Sequence, residues 1–71
     1  MSNEEFIQIV NKIAELKKAI ETYEQITKVL FEMSEKLSGK VNEEIKNLDQ
    51  QHKDAYRKIR DIYESIAAIF Q

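Results

Sequence analysis

The chain has 71 residues, with 11 Lys and Arg against 13 Asp and Glu, one His, one Gly and neither Pro nor Cys. Without Cys there are no disulfides, no thiolate metal sites and no thiol nucleophile. With 34% charged and 42% hydrophobic residues the balance is that of long amphipathic helices, not of disorder or a turn-rich β fold, and a net charge of −2 gives no overall attraction to nucleic acid or anionic membrane.

The opening "MSNEEFIQIV" reads as a helix start. Ser2 and Glu5 stand at the spacing of a capping box, and Met1 and Phe6 at that of a hydrophobic staple. Apolar residues then recur three and four apart: Phe6, Ile9, Ile13, Leu16, Ile20 and Tyr23, followed by Ile26, Leu30, Met33 and Leu37. This predicts one helix over about residues 3–37. Two successive steps of three, Ile20 to Tyr23 to Ile26, predict a stammer-like shift in the stripe.

The stripe stops at "KLSGKVNEE", where Gly39 alone can take a left-handed C′ conformation without steric cost. A turn is expected over 38–41. Asn42 followed by Glu43 and Glu44 offers a cap and a negative first turn for a second helix over about 42–70. Its repeat is regular: Val41, Ile45, Leu48, His52, Ala55, Ile59, Ile62, Ile66 and Ile69, with Tyr56, Tyr63 and Phe70 each one position further round. A face of that width suits a multi-helix bundle.

The expected fold is therefore all-α: residues 1–71 as a single antiparallel helical hairpin in which facing residue numbers sum to about 78. In that register Tyr23 meets small Ala55. So short a chain buries too little surface to be comfortable alone. Phe6, Val10, Phe31, Tyr56, Tyr63 and Phe70 would stay wet in an isolated hairpin, so dimerisation into an antiparallel four-helix bundle is expected. The expected core and dimer interface comprises Phe6, Ile9, Ile13, Leu16, Ile20, Tyr23, Leu30 and Leu37 on the first helix. On the second it comprises Ile45, Leu48, His52, Ala55, Tyr56, Ile59, Ile62, Tyr63, Ile66, Ile69 and Phe70.

Asp49 and His52 form an Asp-x-x-His pair, the spacing used in carboxylate-bridged di-metal bundles. It occurs once, opposite Ile26 and Thr27, so His52 is read as a polar seam residue that fixes register, and no cofactor is expected. Ser34, Ser38 and Ser65 lie at least a dozen residues from His52, roughly 18 Å along a helical rod, so no nucleophile–base pair forms within a chain and no enzyme is expected. Lys46, Lys53, Arg57 and Arg60 line one outer stripe of the second helix and supply the alternative reading, a nucleic-acid-binding regulator. In plan such a dimer is similar to Rop-like plasmid RNA-binding hairpins, although no motif is shared. Against this reading, acids stand four residues from the cations: Asp49 with Lys53, Asp54 with Lys58, Arg57 with Asp61 and Arg60 with Glu64. No apolar run nears the roughly 20 residues that cross a bilayer, and no basic, apolar leader is present, so a soluble cytoplasmic protein without membrane contact is expected. The leading expectation is a protein–protein interaction module (an adaptor, scaffold or small regulatory subunit) that partners itself and another protein.

Overall fold

A computed structural model describes residues 2–37 and 42–71. Two helices account for nearly all of them: α1, Asn3–Lys36, and α2, Glu43–Ile69. The expected turn over 38–41, with Gly39 and Val41, and the Met1 half of the staple lie outside the described residues.

Each helix start is closed by the side chain expected of it. The Ser2 hydroxyl accepts from the Glu5 N–H at 3.2 Å, and the Glu5 carboxylate accepts in return from the Ser2 N–H at 3.4 Å. Asn42 accepts the Ile45 N–H through Oδ1 at 2.9 Å. These bonds satisfy donors that have no partner inside the helix, and Glu4, Glu5, Glu43 and Glu44 add negative charge where the helix dipole favours it. At the far end of α2 the last turn tightens, Phe70 N–H donating to Ala67 O at 3.1 Å and Gln71 N–H to Ala68 O at 3.4 Å. No basic residue lies in that turn.

The helices pack side by side. Thr27 meets His52, and Tyr23, one turn earlier, meets Tyr56, one turn later. The helices therefore run antiparallel, in a register close to the expected sum of 78. α1 is the longer, 34 residues against 27, so in this register its first turn and a half projects past the end of α2. The Cα atoms extend 53 × 15 × 13 Å.

The contact between the helices follows an uninterrupted heptad. With the seam written as positions a and d, α1 places Ile9, Leu16, Tyr23, Leu30 and Leu37 at a, and Lys12, Ala19, Ile26 and Met33 at d. α2 places Ile45, His52, Ile59 and Ile66 at a, and Leu48, Ala55, Ile62 and Ile69 at d. All of these are buried or half-buried, and every other described residue except Val29 and Ser65 is exposed. This corrects the expected stammer in α1. Ile13 and Ile20, 52% and 38% exposed, lie one position off the seam, and Lys12 and Ala19 occupy it. Two helices touch along one line only, so a stripe of apolar residues wider than that line is split by packing. The small Ala19 side chain is covered on the seam, and the alkyl stem of Lys12 can cover the seam while its ammonium stays in water.

A seam this narrow encloses little. Among the described residues only Ile9 and Ala19, 7% and 6% exposed, are buried, and no large side chain is completely so. The caps therefore matter. Asn42→Ala is expected to lower the unfolding free energy by about 1 kcal/mol, whereas Asn47→Ala, at an exposed site within α2, is expected to be neutral or slightly stabilising. Urea titration followed by circular dichroism checks both, and equal effects would contradict the capping role.

Candidate interaction face

Three side chains meet at the middle of the seam. Thr27 Oγ1 donates to the Tyr23 carbonyl of its own helix at 2.9 Å and lies 2.6 Å from His52 Nε2. The single hydroxyl proton is used by the carbonyl, so Nε2 carries the proton of the second bond and donates it to the hydroxyl oxygen. The Tyr23 ring lies on the imidazole, with centroids 4.2 Å apart and planes at 19°, and the Tyr56 ring is tilted against Tyr23 at 6.2 Å. His52 is thus held from α1 by a hydrogen bond and a stacked ring, contacts that a shift of one residue in register would break.

Tyr23 thus engages the two rings on either side of Ala55, the residue expected to face it. The ring leans toward His52 and Tyr56, and Ala55 borders an open groove with Ala19, Thr22 and Lys58 on the opposite side of the hairpin. Two alanines close together leave a gap that no neighbouring side chain fills.

The two sides of the hairpin differ in chemistry. Along a right-handed helix the residue after each seam position lies about 100° further round. Because the helices are antiparallel, that rotation carries both helices toward the same side of the hairpin. On that side position e holds Phe6, Ile13, Ile20 and Thr27 of α1, and Asp49, Tyr56, Tyr63 and Phe70 of α2. Position b, toward the edges, holds Val10, Lys17, Glu24 and Phe31, with Lys46, Lys53, Arg60 and Ala67. The opposite side carries Gln8, Glu15, Lys18, Thr22, Gln51, Asp54, Lys58 and Asp61. One side of the hairpin is therefore rich in large apolar side chains and the other is polar.

Of the expected interface residues, Ile9 is buried, and Leu16, Tyr23, Leu30, Leu37, Ile45, Leu48, His52, Ala55, Ile59, Ile62, Ile66 and Ile69 are half-buried on the seam. Phe6, Ile13, Ile20, Tyr56, Tyr63 and Phe70 stand on the apolar side and are exposed, Tyr63 and Phe70 each by 63%. The seam also includes Ile26 and Met33, which belong to the stripe read from the sequence, and Lys12 and Ala19, which do not. The signal for Lys12 and Ala19 was the unbroken seven-residue ladder from Ile9 through Leu16, Tyr23 and Leu30 to Leu37, which assigns its intervening positions whatever their hydrophobicity.

The cations of α2 follow the edge of the same side. Lys53, Arg57 and Arg60 line a shallow depression with Tyr23, His52 and Tyr56. Lys53 pairs with Asp49 at 3.1 Å and Arg60 with Glu64 at 4.0 Å, as the spacing predicts. Lys46 pairs with Glu43 at 3.8 Å, and Arg57 pairs backward with Asp54 at 3.9 Å instead of forward with Asp61. All are well exposed, so screening leaves them little weight in stability. Among the described residues no group of three or more His, Asp or Glu could hold a metal ion, and no helix is long and apolar enough to cross a membrane. Comparison with protein-family models, curated proteins and solved structures found no match.

His52→Leu leaves Thr27 bonded to the Tyr23 carbonyl and adds apolar surface to the seam. It is expected to raise the unfolding free energy by about 1 kcal/mol in urea titrations. In the parent protein, long-range proton–nitrogen correlation of His52 above neutral pH is expected to show the Nε2–H tautomer. A dominant Nδ1–H form would contradict the bond to Thr27.

Proposed function

We propose that the chain is a non-enzymatic protein–protein interaction module that works as a homodimeric helical bundle: an adaptor, scaffold or small regulatory subunit in the cytoplasm. The observation that carries this reading is the segregation of the exposed large apolar side chains, all but Ile7 among the described residues, to one side of the hairpin. Phe6, Ile13, Ile20, Tyr56, Tyr63 and Phe70 form a continuous strip there, and exposed strips of that size mark interaction sites. Covering the strip with a second hairpin gives a two-layered cross-section of four helices in which the seams and the apolar sides share one core. The polar sides then face outward, and contact with a further protein falls to them and to the bundle ends.

Sedimentation equilibrium tests the reading. The parent chain is expected at twice its mass of 8.4 kDa, and Ile13→Glu with Tyr63→Glu is expected to give a monomer with reduced helix content. A parent chain that sediments as a stably folded monomer overturns self-association.

The depression lined by Lys53, Arg57, Arg60 and two tyrosines favours a second reading, a nucleic-acid-binding regulator in which bases stack on Tyr56 while the cations meet phosphates. The acids paired with each of these cations weigh against it. The two readings compete for Tyr56, which the dimer would cover. Titration into labelled duplex DNA and structured RNA at about 50 mM salt, where counterion release favours binding most, separates them. Under the leading reading no binding is expected, and Arg57→Glu with Arg60→Glu leaves the dimer intact.

A further inference from the structure

We infer that the second copy lies on the apolar side with its two-fold axis along the length of the hairpin, so that the Leu37 and Asn42 ends of both copies are at the same end of the bundle. This rests on the homodimer proposed above and adds the orientation.

The area suits such an occupant. The four aromatic and three aliphatic side chains at positions e and b of the half nearer the termini expose roughly 700 Å² per copy, close to the ~800 Å² per partner of a standard interface. The strip is also graded along its length. Position e residues whose numbers sum to 76 lie within a turn of equal height on the two helices, and they form four levels: Phe6 with Phe70, Ile13 with Tyr63, Ile20 with Tyr56, and Thr27 with Asp49. Three levels are large and apolar, and the fourth, toward the Leu37 end, is polar.

Only two symmetric arrangements bring the two apolar sides together. With the axis along the hairpin, each level meets its own copy. Apolar levels then pack on apolar levels, the Thr27 and Asp49 level meets itself, and each α1 lies antiparallel to the partner's α2. At the edges Val10 comes level with the partner's Ala67, and Glu24 with the partner's Lys53, a complementary pair. The one adverse pair, Lys17 with the partner's Arg60, is at the solvent edge, where screening is effective. With the axis across the hairpin the levels are reversed. Centred, that arrangement presses Ile13 and Tyr63 onto the partner's Thr27 and Asp49 and buries a carboxylate against apolar side chains. Displaced to overlap the apolar levels alone, it leaves Phe31 and the Glu24 and Lys53 edge uncovered.

The chain has no native cysteine, so single nitroxide labels can be placed at Glu35→Cys, near the Leu37 end, and at Ala68→Cys, near the termini, both exposed and off the apolar side. Pulsed dipolar spectroscopy is expected to give inter-copy distances below about 40 Å at both sites, from helix diameters and the ~10 Å spacing of neighbouring axes. A Glu35 distance beyond about 50 Å in a protein that still sediments as a dimer overturns the orientation and leaves the homodimer standing. A parent chain that sediments as a monomer and shows no inter-copy distance at either site overturns both.

Discussion

Two helices lying side by side make a layer one helix thick. Such a layer has a line of contact and no interior, and the rest of this structure follows from that constraint. Seventeen seam positions share the burial, yet only Ile9 and Ala19 fall below a tenth exposed. A seam so thin tolerates residues that a thicker core would reject. Lys12 occupies one d position, alanine two, and His52 an a position near the middle. Phe6, Ile13, Ile20, Tyr56, Tyr63 and Phe70 are set one place round, where an isolated hairpin gives them little to pack against. The contacts within the hairpin and the exposed apolar side chains are thus carried by different columns of the same helices.

His52 shows how the first of these works. A hairpin seam built only of aliphatic residues can slide by a heptad at modest cost, because each level resembles the next. The hydrogen bond from Nε2 to Thr27 and the stack on Tyr23 exist at one level alone. They tie α2 to α1 at a single height, and Tyr56, tilted against Tyr23, extends the cluster to the apolar side. Register inside the hairpin and the alignment of the levels on its apolar side are therefore set by the same few residues.

Much of this was legible in the residues themselves. The two helices, the Ser2 and Asn42 caps and the antiparallel register follow from short-range chemistry and from the regular repeat of α2, where nearly every seam position is aliphatic. The register of α1 was harder to read. At two successive d positions the side chain is Lys or Ala while its neighbour is Ile, so following hydrophobicity from residue to residue leads off the seam at Ile13 and onto an apparent stammer. The hydrophobic pattern there reports two faces at once, and only the geometry of the second helix separates them. The stacking of Tyr23 on His52 was likewise not readable, because residue sizes single out Ala55 at the facing level and say nothing of the rings beside it. The apolar side as one surface emerges only when the antiparallel direction is combined with the position following each seam residue.

The overhang of α1 sets a gradient of local stability along the rod. Beyond the end of α2 the first turn and a half of α1 has no neighbouring helix, and what holds it is the reciprocal pair of bonds between Ser2 and Glu5. Amide hydrogens there should open to solvent by fraying, far below the free energy needed to separate the helices, whereas those around Tyr23 are held by the centre of the seam. Phe6, the outermost residue of the apolar side, is carried on that loosest segment. Ordering it on contact costs conformational entropy that the contact must exceed, so whatever covers Phe6 meets a segment that becomes more rigid as it is engaged.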